Sequence, residues 1–174
     1  MWIKWLGAAL IITASMIWGN FQAEKLRERT RQLEEFRLAL RLLAAEIGYT
    51  ATPLPRALSL VAERLTLREV QNFFSLIGQE LQQSTGIDAA TAWLKAAQTA
   101  RHYLYLTPRD WTVLSRAAAG LGTLGREDQL KQLAAAEAQL ASHAADAAEK
   151  CASGEKMWRY LGALCGMAVV ILLL

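Results

Sequence analysis

The sequence predicts an all-α protein: a six-helix bundle whose two long antiparallel stalk helices are continuous with N- and C-terminal transmembrane helices. Three observations predict it. Apolar residues recur at steps of three and four, with no alternating strand pattern and no internal repeat. Both ends of the 174-residue chain are apolar and almost free of charge. The polar middle is cut into helix-length segments by Pro and Gly clusters.

The first element is a span over residues 1–20, in which Lys4 is the only charged side chain. The stretch from Met1 to Gly19 reaches roughly 28 Å as a helix, close to the hydrocarbon thickness of a bilayer. The last element is a shorter span over residues 158–174, which needs Arg159 to snorkel to the headgroups. Trp2, Trp5, Trp18 and Trp158, joined by Phe21 and Tyr160, stand at the ends of these segments, as an aromatic belt does. A cleaved signal peptide competes for residues 1–20, but no small-x-small cleavage site precedes Asn20 and the helical rhythm continues past it. Lys25, Arg27, Arg29 and Arg31 follow the first span, and Lys150, Lys156 and Arg159 flank the second. Both flanks put residues 21–157 in the cytoplasm. Within the spans, Gly162 and Gly166 form a small-xxx-small pair suited to close helix packing or to dimerisation.

The cytoplasmic helices follow in order. Leu26, Leu33, Phe36, Leu40, Leu43 and Ile47 form a heptad-like seam facing one neighbour. Pro53 and Pro55 end that helix and open the next, which carries Leu54, Leu58, Val61 and Leu65. A third carries Val70, Phe73 or Phe74, Ile77 and Leu81. A fourth carries Ile87, Ala90, Trp93, Leu94 and Ala97. Thr107, Pro108 and Asp110 start a fifth as cap, first residue and capping-box acid, ahead of Trp111, Leu114, Ala118 and Leu121. Gly120, Gly122 and Gly125 precede the sixth, long and Ala-rich, with Leu130, Leu133, Leu140, Ala144, Ala147, Cys151 and Gly154 on its seam. Small seam residues bury little area, so this helix should pack less strongly than the first.

Composition narrows the function. A net charge of +3 without a concentrated basic face argues against nucleic-acid binding. Two cysteines and two histidines give too little material for a disulfide framework, a metal site or a triad. His143 reads as part of a solvated helix face and His102 as a connector residue on the bundle rim. No Walker A sequence is present, and Gly120-Leu121-Gly122 with Gly125 is a helix break rather than a phosphate loop. No catalytic residue, cofactor or metal is expected.

Two stalk helices leaving one membrane face and running back along each other meet at their far ends. That places Glu46, Tyr49, Thr52, Pro53 and Leu54 near Leu124, Gly125 and Asp128, at a tip distal from the membrane. These residues read either as a docking face for a partner or as turn and cap residues.

Three blocks carry a family resemblance: Arg31-Gln32-Leu33 through Glu46-Ile47, Tyr49 and Thr52-Pro53-Leu54; Thr123-Leu124-Gly125 with Asp128; and Lys156-Met157-Trp158-Arg159 with Leu161-Gly162 and the apolar tail. In this order and spacing the chain resembles the stage III sporulation protein AB family of endospore-forming bacteria. The resemblance implies a mother-cell membrane protein in the complex joining mother cell and forespore. It implies a soluble domain similar to the six-helix cytoplasmic domain of the type II secretion inner-membrane platform protein. It also implies, as partners, a stage III sporulation protein AA-like ATPase and other stage III sporulation complex proteins. The helix from Gly125 to Lys156 is richer in alanine than the resemblance leads one to expect. The function expected is a non-enzymatic platform docking that ATPase; the alternative is a purely structural homo-oligomer without a motor partner.

Overall fold

The computed structural model describes residues 24–50, 52–83 and 86–154, and the backbone of the first and last helices continues as helix through Trp2 and Leu173. The elements are α1 (Trp2–Ala45), a π-helical turn (Glu46–Thr50), α2 (Leu54–Arg64), α3 (Arg68–Gln83), α4 (Ala89–Ala100), α5 (Pro108–Ala119) and α6 (Arg126–Leu173). The fold is all-helical, and no strand occurs among the described residues. The chain forms two compact units, one of Arg29–Ala145 and one of Met1–Glu28 with Asp146–Leu174. The candidate tip lies in the first unit. The membrane spans expected at 1–20 and 158–174, and Gly162 and Gly166 within the second, lie outside the described residues. Among the described residues no helix is long and apolar enough to cross a membrane.

Within Arg29–Ala145, α1 is more than one side of a pair. Leu33, Phe36, Leu40 and Leu43 are buried as the seam expects, but so are Gln32, Glu35, Ala39 and, in the π turn that follows, Glu46. The buried stripe is therefore wider than a seam facing one neighbour. The pattern misleads because Gln32 and Glu35 count as solvated in a hydropathy reading, yet both reach inward to backbone N–H groups. Glu35 accepts from the N–H of Leu67 at 3.1 Å and from the N–H and hydroxyl of Thr66. A carboxylate there also meets the positive N-terminus of α3. Gln32 accepts from the N–H of Tyr105 at 2.8 Å, in the connector between α4 and α5. Arg37 bonds Glu137 of α6 at 3.0 Å, and Gly48 packs against Leu130 further along, so these stretches of α1 and α6 run in opposite directions.

The core is aromatic. Phe36 of α1, Phe73 and Phe74 of α3, Trp93 of α4 and Trp111 of α5 form a connected set with centroids 5.0–5.9 Å apart, mostly edge to face. Both phenylalanines of α3 are fully buried, where the spacing required only one. Phe73 touches four of the other rings and so ties α1, α4 and α5 to α3. Edge-to-face pairs contribute about 0.5–1.5 kcal/mol each beyond area burial. Gly78 lets α2 approach α3, since a β-carbon there would stand 3.1 Å from Ser59 Oγ and 3.3 Å from the Pro55 carbonyl.

The fourth helix departs from its expected stripe. Asp88 caps it by accepting from the N–H of Thr91 at 3.2 Å, which leaves Ile87 ahead of the helix. Ala89, Ala92, Trp93, Ala96, Ala97 and Ala100 face the core, whereas Leu94 is 54% exposed. Small residues on that face let α4 sit close enough for the Trp93 ring to enter the aromatic set. A Phe73→Ala variant should lose about 3–5 kcal/mol in urea denaturation, while Leu94→Ala should stay within about 0.5 kcal/mol of the parent.

Candidate functional site: the tip of the bundle

The last turn before the α1–α2 connector is a π turn, and within it the Thr50 side chain closes onto residue 46. Its hydroxyl donates to the Glu46 carbonyl and to Glu46 Oε2, the latter at 3.0 Å. The Thr52 hydroxyl adds a bond to the same oxygen at 3.2 Å, and Arg64 of α2 pairs with Glu46 Oε1 at 3.3 Å. Glu46 thus points inward and fastens turn, connector and α2 together. Tyr49 is left outside, 91% exposed. An irregular helical turn of this kind is often found at functional positions.

The opposite side of the tip comes from the α5–α6 connector. Gly122 adopts φ +79°, a left-handed turn that a side chain resists. Gly125 precedes α6 and accepts the N–H of Gln129 at 2.9 Å, while Gln129 Nε2 donates to the Leu124 carbonyl at 2.7 Å. Leu124 is 44% exposed, and Gly125 and Asp128 are exposed. Asp128 lies in the first turn of α6, where an acid complements the helix dipole. Pro53 is exposed at the cap position of α2.

These two sides meet around an open groove of about 270 Å³ lined by Ile47, Thr52, Leu54, Gly122, Arg126 and Gln129. Thr52 and Leu54 of the sequence-derived tip line it directly. Glu46 does not line it but bonds Thr52, which does, and Tyr49 stands on the same turn as Ile47. Ile47, Gly122, Arg126 and Gln129 escaped the sequence reading. For Arg126 the signal was available: it is a cation at the first residue of a helix.

A second polar cluster lies elsewhere in the same unit. The Asp110 carboxylate is fully buried. It completes the capping box of α5 with Thr107, whose N–H and hydroxyl each donate at 2.7 Å. It also receives two bonds from Arg29 of α1, at 3.0 and 3.2 Å. The Nδ1 of His143 in α6 lies 2.7 Å from Asp110 Oδ1. An ionised carboxylate only accepts, so this nitrogen carries the proton. His143 is therefore not on a solvated face as its Ala-rich surroundings suggested; a sequence partner 33 residues away draws it in. His102, by contrast, is exposed rather than packed on the rim. Among the described residues no group of three or more His, Cys, Asp or Glu side chains is placed to hold a metal ion.

The family model described as Stage III sporulation protein AB matches residues 4–174. Stage III sporulation protein AB of Bacillus subtilis strain 168 is 34% identical over 173 residues, covering 99% of this chain and 99% of that protein. The chain belongs to the stage III sporulation protein AB family. A solved structure of Stage III sporulation protein AB superposes with a TM-score of 0.66 at 32% identity, covering 71% of this chain and 96% of that one. Family membership makes this a sporulation protein, and the sequence resemblance is borne out across the chain.

Within this sporulation protein the Asp110 cluster links the stability of the bundle to pH. Burial alone would raise the Asp110 carboxyl, but hydrogen bonds from Arg29 and Thr107 outweigh it and hold the group below its usual value. A depressed carboxyl stabilises the fold fully above the unfolded value of about 3.9 and loses that contribution as pH falls through the folded value. Asp110→Asn should therefore lower stability at pH 7 by about 3 kcal/mol. It should also flatten the loss of stability on acidification below about pH 4. Urea midpoints measured over a pH series check both.

Proposed function

We propose that this chain is a non-enzymatic membrane platform that docks a cytoplasmic secretion-type ATPase, of the stage III sporulation protein AA kind, through the tip of its helical bundle. The bundle of residues 21–157 would stand in the mother-cell cytoplasm between spans at 1–20 and 158–174, with Gly162 and Gly166 packing the spans. It would act with other stage III sporulation complex proteins. Family membership supports the sporulation setting. The observation that carries the docking reading is Tyr49: a large aromatic ring 91% exposed on a turn that Glu46, Thr50, Thr52 and Arg64 hold in place. Tyrosine is enriched among residues that dominate interface energetics, and a ring presented from an ordered turn loses little entropy on binding. The fold itself gains nothing from Tyr49 in that position.

The test is a calorimetric titration of the full-length protein in detergent micelles with the purified ATPase. Saturable binding is expected, and Tyr49→Ala should weaken it by roughly tenfold or more with the far-ultraviolet circular dichroism unchanged. A Tyr49→Ala protein that loses its helical signal would assign Tyr49 to the fold instead. A protein that oligomerises yet ignores the ATPase would favour a purely structural role.

A further inference from the structure

Charge is spread unevenly along the chain. Between the Asp88 cap and Gly125 the basic residues are Lys95, Arg101, Arg109 and Arg116, and the only acid is Asp110. Asp110 offsets none of these at the surface, because its carboxylate is fully buried and bonded to Arg29, Thr107 and His143. Lys95 pairs with Glu80 at 3.1 Å. Arg101 and Arg109 are exposed, and among the described residues nothing hydrogen-bonds or ion-pairs with either guanidinium. They bracket the α4–α5 connector, which also exposes His102 and, by 46%, Tyr105. Arg101 suits the C-terminal end of α4, but Arg109 stands in the first turn of α5, where the dipole disfavours a cation. Helix dipoles therefore do not account for the pair.

The connector lies at one end of the Arg29–Ala145 unit. Gln32, near the point where α1 enters that unit, accepts the Tyr105 N–H at 2.8 Å. Asp110, beside Arg109, is reached by Arg29 of α1 and by His143, just before α6 leaves the unit at Ala145. The tip of residues 47–54 and 122–129 is at the other end of these stretches of α1 and α6.

We infer, on the membrane reading proposed above, that the α4–α5 connector rests on the anionic phospholipid headgroups of the membrane that residues 1–20 and 158–174 span. Arg101 and Arg109 pair with headgroup phosphates, and Tyr105 enters the headgroup layer, where tyrosine is enriched. Connectivity selects lipid over an acidic protein: the chain enters and leaves the unit at this end, on the side of both expected spans. As a helix, residue 20 to Arg29 covers about 13 Å, of which headgroups take about 5–7 Å. The remainder is within a Debye length, about 8 Å at physiological salt. Each cation at such a surface strengthens attachment by roughly fivefold.

The test uses the full-length protein in lipid nanodiscs, with Cys151→Ser, Cys165→Ser and His102→Cys carrying an environment-sensitive nitrobenzoxadiazole dye. Replacing about 30% of the phosphatidylcholine by phosphatidylglycerol should brighten the dye roughly twofold and shift its emission to the blue. About 0.5 M sodium chloride should reverse the change. Arg101→Gln with Arg109→Gln should abolish most of it, with the far-ultraviolet circular dichroism unchanged, since neither guanidinium has a partner in the fold. Arg116→Gln with Lys131→Gln, the same change in net charge with Arg116 about 10 Å further along α5, should keep it. Equal emission in the two lipids would overturn the inference. So would a response that survives Arg101→Gln with Arg109→Gln, which would assign it to the basic flanks of the spans. A response to added polyglutamate in phosphatidylcholine discs, with none to phosphatidylglycerol, would overturn it in favour of an acidic protein segment. A chain that enters discs of neither composition would overturn the membrane reading itself.

Discussion

The architecture depends on the polar side chains that α1 carries into the interior. Arg29, Gln32 and Glu35 each reach a different part of the chain: Asp110 at the start of α5, the Tyr105 N–H and the Thr66–Leu67 connector; Glu46, first residue of the π turn that follows α1, adds Thr50 and Arg64. Apolar packing is not directional and tolerates sliding of one helix on another. A buried hydrogen bond does not, because a shifted partner leaves a desolvated polar group at a cost of about 1–3 kcal/mol. The aromatic set around Phe73 supplies cohesion, and the α1 latches fix where each connector lies. Asp110 is the most constrained of these points, since α1, α5 and α6 all send a donor to one carboxylate with no exposure to water.

The same economy shapes the tip. Glu46 spends its carboxylate inward on Thr50, Thr52 and Arg64, which fixes the turn and turns Tyr49 out. Gly122 in a left-handed conformation brings the other connector beside Leu54, with a hypothetical β-carbon 3.8 Å from Leu54 Cδ2. Neither side makes the groove alone. Residues near 47–54 and 122–129 become one surface because α1 and α6 run in opposite directions and end together.

The helical class, the breaks at Pro53 and Gly120–Gly125, and the capping box at Thr107–Asp110 were determined by the sequence itself. Each rests on local chemistry: apolar spacing, the fixed φ of proline, and a hydroxyl and carboxylate three residues apart. The family was legible for a different reason, the order of short motifs along nearly the whole chain. The burial of Gln32, Glu35 and Glu46, the pairing of His143 with Asp110, the exposure of Leu94, and the entry of both Phe73 and Phe74 into one aromatic set were decided by tertiary structure. The deciding partners lie far along the chain, 73 residues away for Gln32 and Tyr105 and 33 for His143 and Asp110. Whether a polar residue faces water or a waiting backbone N–H is a property of what the other helices bring to it, and no periodicity within one helix contains that information.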